Sequence, residues 1–261
     1  MPRELIDLLW RDHPAAPRGG TRGPRSRVTT GAVVDAACTL ADAEGLAAVT
    51  VRRLGEALRI STMSVYTHVN GRDDLLVLMA DAIYAGMSLP AHGNAGWRTR
   101  VRRVAEANLA LHVEHPWLLE VDDERTAFGP GTIAKYDHEL QALDQLPLDD
   151  VARDAALTFV LDFVRAAARA RRRDPRADEI AQSWARWAGR LAKYLGDGYP
   201  LAQRVGGAAG QAMNAPLSPA HAWEFGLARV LDSLDLAADR PTGRPADRSA
   251  DRARKKPVSR L

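Results

Sequence analysis

The sequence predicts an all-α protein, and three observations support this prediction. Apolar residues recur at helical spacing through most of the 261 positions, Gly, Pro and Asp separate the periodic segments, and no alternating pattern of useful strand length occurs. The composition, 46% hydrophobic and 26% charged, is typical of a globular protein. No run of eighteen apolar residues occurs, so the sequence predicts no membrane-spanning helix.

The positive charge is concentrated at the two ends of the chain. Residues 1–27 carry six arginines against three acidic residues, and residues 239–261 carry eight basic against three acidic residues. Much of both segments is rich in Pro, Gly, Arg and Ser, so we predict a flexible basic arm at the N-terminus and a disordered basic tail at the C-terminus. Within the arm, ELIDLLWR has the pattern of two amphipathic helical turns, and the sequence leaves open whether they dock on the body.

The first domain, called the head below, is predicted over residues 28–88. The segment TTGAVVDAACTLADAEG has apolar residues at helical spacing between a Thr cap and a closing Gly. TVRRLGEALR follows with Thr50 as its N-cap, and Ser61 is the N-cap of a third, short helix. Gly71 precedes RDDLLVLMADAIYAGMSL, whose early acidic residues suit the helix dipole. Three short helices, the last two joined by a tight turn, predict a helix-turn-helix.

A second helical domain, called the C-terminal domain below, is predicted over residues 97–238. Pro90 and the Gly- and Asn-rich segment up to Gly96 indicate a linker between the two domains. Beyond the linker we predict helices at 97–113, 116–121, 131–145, 149–170, 176–195 and 218–236.

The stretch LRISTMSVYTHV, which begins at Leu58, has a composition that a protein core would not favour. Ile60, Val65 and Val69 are spaced to hold a short helix against the two before it, which leaves small hydroxyls, a methionine and an imidazole on the outer face. A helix in the DNA major groove needs short side chains for close approach, hydroxyls for phosphates and methyls for thymine. An ordinary solvated helix is the alternative, but a helix this short needs a dedicated scaffold. We therefore predict that this helix binds DNA.

Three motifs carry a family resemblance over residues 29–88. TVRRLGEALRIS, TMSVYTHV and NGRDDLL contain a hydroxyl-capped short helix that ends in Tyr-x-His-Val, a small turn and a basic residue that opens the next helix. This pattern resembles the DNA-binding domain of the TetR family of bacterial transcriptional repressors. Weaker motifs, EHPWLLEV, FGPGTIAKYDHELQAL and AWEFGLARVLDSLDL, extend the resemblance to residue 236 and are similar to the C-terminal domain of the tetracycline-repressor branch.

The resemblance implies a role in DNA contact for individual residues. Arg52 corresponds to an arginine that reads guanine with its planar fork. Thr62 and Met63 would face bases, and Tyr66 would touch a thymine methyl or a phosphate. The residues that match phosphate clamps are Thr50, Ser64, Thr67, His68 and Arg72. Arg59 departs from the family, which usually has Gly in this turn, so we expect a left-handed backbone there.

The head itself has more acidic than basic residues, which is unusual for a domain that binds DNA. We expect the arginines of residues 18–27 to supply the missing attraction by entering the adjacent minor groove, as N-terminal arms do.

The resemblance also implies a ligand pocket inside the C-terminal domain. The residues that would converge on it, mixing aromatic walls with polar groups, are Arg103, Asn108, His112, His115, Trp117, Phe159, Phe163 and Trp184. Each aromatic residue is equally compatible with a plain core role. Two of the histidines have i, i+3 spacing, but no third ligand at metal spacing accompanies them, so we predict no metal site.

Two late helices, 149–170 and 218–236, would form a homodimer interface by the same resemblance. The predicted contact residues are Leu157, Val160, Leu161, Val164, Phe225, Leu227, Val230, Leu231 and Leu234. A four-helix seam of this kind is an isologous contact, which two-fold symmetric DNA half-sites require. The alternative is that these apolar stripes belong to the core of one subunit.

The sequence contains no motif typical of catalysis. It lacks a Gly-rich phosphate loop, a GxSxG elbow, an HExxH helix and a Cys/His pair for nucleophilic attack, so we predict neither enzymatic activity nor a cofactor. The single cysteine, Cys38, excludes an internal disulfide framework and fits the reducing cytoplasm.

We predict a homodimeric repressor that binds a palindromic operator in double-stranded DNA and is released by a small-molecule inducer. The alternatives are a transcriptional activator, a DNA-binding protein without a ligand, and a helical-bundle enzyme.

Overall fold

The computed structural model describes residues 3–16, 28–172, 177–213 and 218–238. Within these ranges the regular elements are eleven α-helices and three 3-10 helices, without a strand. None of the helices described is both long enough and apolar enough to cross a membrane. The α-helices are α1 Leu5–Leu9, α2 Thr30–Glu44, α3 Val51–Leu58, α4 Thr62–Tyr66, α5 Arg72–Gly86, α6 Trp97–Glu114, α7 Pro130–Gln141, α8 Asp150–Arg171, α9 Ala177–Leu195, α10 Pro200–Met213 and α11 Pro219–Ala238. The 3-10 helices are Leu46–Ala48, Pro116–Glu120 and Glu124–Phe128.

Hydroxyl caps define the helices of the head. Thr50 Oγ1 accepts a hydrogen bond from the Arg53 amide at the start of α3, and Ser61 Oγ accepts one from the Ser64 amide at the start of α4. Both N-caps were predicted from the sequence and are confirmed. Such caps satisfy amide groups that a helix cannot pair internally.

The turn between α3 and α4 depends on one close backbone approach. Arg59 has φ 55° and ψ 44°, the left-handed conformation expected for it. A Cβ atom at Gly55 would lie 2.8 Å from the Ile60 carbonyl oxygen, so the glycine that this turn requires lies inside α3 rather than in the turn.

The N-terminal segment differs from its prediction. Residues 3–16 are not a flexible arm, because Leu8 and Leu9 of α1 are buried in the head core and α1 packs against α5. Burial of the apolar side chains of ELIDLLWR stabilises the docked segment against the loss of chain entropy. Residues 17–27, which carry most of the expected DNA-binding arm, and the tail 239–261 lie outside the described residues.

The C-terminal domain is a bundle in which α8 packs against α6, α7 and α11. The predicted helix bounds agree with the structure to within a few residues, except that α7 ends at Gln141 rather than at residue 145. The sequence missed α10, because Gly206, Gly207 and Gly210 lower its helical propensity.

The two domains are joined by contacts of α5 with α7. Asp81 of α5 accepts hydrogen bonds from the amide (2.8 Å) and hydroxyl (3.2 Å) of Thr132, so a carboxylate of the head caps the first turn of α7. Burial raises the pKa of Asp81. Gly131 lies directly against the α5 backbone, where a Cβ would collide with Asp81 and Ala85. The start of α7 is therefore packed directly against α5 of the head.

Candidate DNA-binding face and ligand site

The outer face of α4 projects away from the head. Val65 is fully buried, whereas the side chains of Met63 and Tyr66 are 73% and 52% exposed, and Thr62 and Thr67 are also exposed. The scaffold therefore presents a short helix whose free face combines hydroxyls, a thioether and a phenol.

Arg52 lies beside this face at the start of α3. Its side chain is 82% exposed, and its Nε atom is 3.1 Å from Glu56 Oε1 in an exposed i, i+4 ion pair. Such pairs contribute little stability. The guanidinium is therefore held only by a weak exposed pair, and its role in reading guanine stays a prediction.

The three predicted hydroxyl clamps also have structural partners. Thr50 Oγ1 caps α3, Ser64 Oγ is 2.8 Å from Ser61 Oγ, and Thr67 Oγ1 donates to the Ser64 carbonyl at 2.7 Å. Thr50 Oγ1 acts here as an acceptor and keeps its proton for a phosphate, either serine oxygen can be the donor of its pair, and the Thr67 proton is already donated to a carbonyl. Phosphate contact by these three residues stays a prediction.

The two other predicted phosphate clamps, His68 and Arg72, both make contacts within the head. The His68 ring is buried, and burial together with the nearby Arg3 lowers its pKa, so the fold disfavours the charged form of the ring. The Arg72 guanidinium donates to the carbonyls of Val49 (2.6 Å) and Leu46 (2.9 Å). The buried His68 ring is not exposed to a phosphate, which corrects its assignment, whereas Arg72 is exposed and its phosphate contact stays a prediction.

Four polar side chains are buried together inside the C-terminal domain or at its edge. Asn108 of α6 donates to Glu139 Oε1, and Lys135 Nζ lies 2.7 Å from Glu139 Oε2. The Lys135 ammonium also lies 5.4 Å from the centre of the Tyr84 ring. His112 is one helical turn from Asn108 on α6, is 6% exposed, and its Nδ1 atom has no hydrogen-bond partner in the part of the chain that is described.

The electrostatics of this cluster is dominated by burial. Burial lowers the pKa of Lys135, and the adjacent Glu139 opposes that shift. Burial, assisted by the cations Arg165, Lys135 and Arg169, lowers the pKa of His112 to about 4. The imidazole is therefore neutral at pH 7.

The low pKa of His112 predicts an acid-sensitive stability. The folded pKa lies below the ordinary value of 6.5, so the unfolded state binds more protons between pH 6.5 and about 4, and the free energy of unfolding falls as the pH falls through that window. The loss attributable to His112 is on the order of 3 kcal/mol. We expect the variant His112→Leu to lose less stability over this window in urea unfolding than the wild type. The exposed His13→Leu serves as the control, and equal pH slopes in both variants would contradict the assignment.

The other predicted ligand residues do not join the cluster. Trp117 Nε1 donates to Asp42 Oδ1 of the head at 2.6 Å, and His115 Nδ1 lies 2.7 Å from the same oxygen. These two residues therefore form a contact between the domains, which corrects their assignment to the pocket.

The remaining four lie at the surface or in other packing contacts. Arg103 donates to the Ala91 carbonyl of the linker, and Phe159 is half-exposed. Phe163 stacks on Trp223 with ring centres 5.4 Å apart. Trp184 lines a separate cavity of about 170 Å³ between α9 and α10.

Sequence reasoning missed Lys135 and Glu139. Their i, i+4 spacing is that of an ordinary surface ion pair, and only the packing of α7 reveals that both are buried. The quoted segment FGPGTIAKYDHELQAL contained both residues, without a local signal for burial.

Comparison with known proteins decides the family. The family model described as "Tetracyclin repressor-like, C-terminal domain" matches residues 89–237. The HTH-type transcriptional repressor DrrR1 of Streptomyces coeruleorubidus is 33% identical over 249 residues, which cover 92% of this chain and 88% of that protein. The chain belongs to the TetR family of transcriptional regulators. It is thus a DNA-binding regulator rather than an enzyme, as the motifs around α4 predicted.

Solved structures confirm the TetR-family fold. The Streptomyces coelicolor protein ActR in complex with actinorhodin matches with a TM-score of 0.64 at 24% identity, over 82% of this chain and all of ActR. BioQ bound to its double-stranded DNA operator matches with a TM-score of 0.53 at 17% identity, over 80% of this chain and 99% of BioQ. The shared architecture confirms the prediction of an N-terminal helix-turn-helix followed by a C-terminal helical bundle.

The dimer contact predicted for this TetR-family chain needs a correction at the level of residues. Seven of the nine predicted residues are buried in the subunit's own core and have no surface for a partner: Leu157, Val160, Val164, Leu227, Val230, Leu231 and Leu234. Leu161 is partly buried. Phe225 is 61% exposed and stands on the free face of α11, while Phe159 is 48% exposed on the free face of α8.

Proposed function

We propose that this protein is a ligand-responsive repressor that binds an inverted-repeat operator as a homodimer in the cytoplasm. In this proposal α4 of each subunit enters a major groove of double-stranded DNA, and a small-molecule inducer in the C-terminal domain releases the operator. The similarity to the repressor DrrR1 over most of both chains supports repression. The operator complex of BioQ and the actinorhodin complex of ActR show that this fold accommodates both kinds of partner.

The observation that carries the proposal is the two-sided construction of α4. Its inner side chain, Val65, is dry, and its outer side chains Thr62, Met63 and Tyr66 are exposed without a structural task. Single exposed apolar side chains are common on protein surfaces, and this face differs in that methionine, tyrosine and threonine stand together on the last helix of a helix-turn-helix. A base-reading helix needs such a face.

Substitution of the outer face tests this assignment. We expect Tyr66→Ala and Met63→Ala each to weaken binding to a selected operator by about 10- to 100-fold, because one lost base contact costs about 1–3 kcal/mol. The oligomeric state should not change. The matched control is Val113→Ala on α6, which removes an equally exposed apolar side chain and should leave affinity unchanged. Unchanged operator affinity in both α4 variants would refute the assignment of α4 as the recognition helix.

The buried polar cluster is our candidate for ligand recognition. Lys135 and Glu139 neutralise each other, while the Nδ1 atom of His112 lacks a partner. A neutral imidazole nitrogen donates or accepts according to its tautomer, and a hydroxyl group can serve either role, so we expect an inducer with an apolar body and at least one hydroxyl.

The proposed dimer uses the exposed faces of α8 and α11 rather than their buried stripes. Phe159 and Phe225 are large apolar side chains that a second copy of the chain would cover. An inducer that displaces α7 would move α5 through the Asp81–Thr132 contact and change the tilt of the paired heads. Coupling of this kind is typically 1–3 kcal/mol, and the operator must weaken inducer binding by the same factor.

A further inference from the structure

The C-terminal end of the recognition helix is held by a residue far away in sequence. Arg3 donates from Nη2 to the carbonyl oxygens of Thr67 (3.1 Å) and His68 (3.3 Å). The last carbonyls of a helix have no partner within it, and a cation there also complements the helix dipole. Because α4 has only five residues, it depends on such external bonds for its stability.

The contact is reciprocal, which fixes the register between the two segments. Asn70 Nδ2 donates to the Arg3 carbonyl at 2.8 Å, directly after the recognition helix. The His68 carbonyl accepts a second bond from Thr30 Oγ1 (3.4 Å) at the start of α2. The end of α4 is therefore attached both to its own domain and to the N-terminal segment.

The same N-terminal segment is attached to the C-terminal domain at its other end. The Trp10 indole Nε1 donates to the Phe128 carbonyl at 2.8 Å, at the last residue of the 3-10 helix that leads into α7. Between the two attachment points, Leu8 and Leu9 are buried against α5. The segment thus runs as a packed connection from α4 to the start of α7.

A second chain of polar contacts follows the same route. Asp74 accepts a bond from Asn70 Nδ2 (2.8 Å) and pairs with Arg125 Nη1 (2.8 Å), and Arg125 in turn binds Asp123. Asn70 therefore binds Arg3 directly and is linked to Arg125, which precedes α7, through Asp74. The end of the recognition helix and the 3-10 helix Glu124–Phe128 are tied together twice.

We propose that residues 3–16 position the recognition helix from its C-terminal end and tie that position to the C-terminal domain. Arg3 is the positioning residue, and Trp10 is the anchor on the other domain. The two domains are thus connected by this segment as well as by the direct contact of α5 with α7. A displacement of α7 is transmitted to α4 through the segment. The inference concerns the regulation of the DNA-binding function proposed above and rests on it, although the positioning itself is testable without DNA.

The first experiment measures amide hydrogen exchange in the free full-length protein. Arg3→Ala should raise exchange at residues 65–69 about fivefold, the usual effect of losing one helix cap, with little change in the thermal midpoint. Arg3→Lys retains a cationic donor and should restore most of the protection. Arg11→Ala removes an equal charge from the same segment without a bond to α4 and is the control. Unchanged exchange at residues 65–69 in Arg3→Ala overturns the positioning role.

The second experiment tests the connection between the domains with a selected operator duplex as the probe. In the wild type, operator binding should slow exchange at residues 124–129, and Trp10→Phe, which keeps the ring but loses the indole N–H, should reduce that protection severalfold. Protection that is absent in the wild type, or equal in both proteins, overturns the connection. If no operator is recovered at all, the proposed function fails, while the experiment on Arg3 in the free protein still decides the positioning.

Discussion

Replacing Lys135 with methionine should lower the free energy of unfolding by about 3–5 kcal/mol, because it leaves Glu139 as a buried and unpaired charge. Glu139 is 2% exposed, and its remaining partner is the Asn108 amide. Methionine replaces the lysine stem, so the loss reports on charge rather than on volume. The same substitution at the exposed Lys193 is the control and should change stability by less than about 0.5 kcal/mol. Urea unfolding of both variants provides the comparison.

A double variant separates stability from ligand recognition. Lys135→Met combined with Glu139→Gln removes both charges and keeps an acceptor for Asn108, so most of the lost stability should return. If the pair exists to bind a ligand, the restored protein should still bind its operator but should no longer respond to inducer. A double variant that is as unstable as the single one would show that the ion pair itself, rather than its uncompensated half, contributes the stability.

Replacing Phe225 with glutamate should convert the dimer into a monomer and lower operator affinity by more than about 100-fold, because both half-sites must be bound at once. Phe225 is exposed in the subunit, so glutamate there is harmless to the fold and costly only in a buried interface. Sedimentation and operator titration measure the two effects.

Phe128→Glu is the matched control for this variant. Phe128 has nearly the same exposed fraction, 59%, and lies on the 3-10 helix near the head rather than on α8 or α11. The control should remain a dimer. A dimeric Phe225→Glu protein would show that the interface lies elsewhere and that the exposed faces of α8 and α11 are not its centre.

The helices and caps of the head could be predicted from the sequence because the interactions that define them lie within a few residues of one another. Thr50 and Ser61 cap their helices through amides three residues away, and the spacing of Val65 and Val69 fixes which side of α4 is dry. Caps, periodicity and turn residues all act over a few positions, and here they agree with one another. The exposed residues Thr62, Met63 and Tyr66 followed directly from that spacing.

The buried residues and contacts of the C-terminal domain were harder to predict because they depend on residues far apart in the sequence. Periodicity correctly showed that Leu157, Val160 and Leu231 face an apolar environment, but it cannot tell the core of one subunit from a contact between two. The burial of Lys135 and Glu139 depends on how α7 packs against its neighbours. The docking of α1 likewise depends on a site built from residues far along the chain. The amphipathic pattern of α1 alone therefore could not predict whether it docks.

Selection of bound sequences from a pool of random duplexes by the purified protein tests the central claim most directly. The account predicts enrichment of an inverted repeat, with specific binding lost in Tyr66→Ala and retained in Val113→Ala. Recovery of no motif, with binding that depends only on salt, would mean that basic segments bind DNA without reading it, and would contradict the assignment of α4 as the recognition helix.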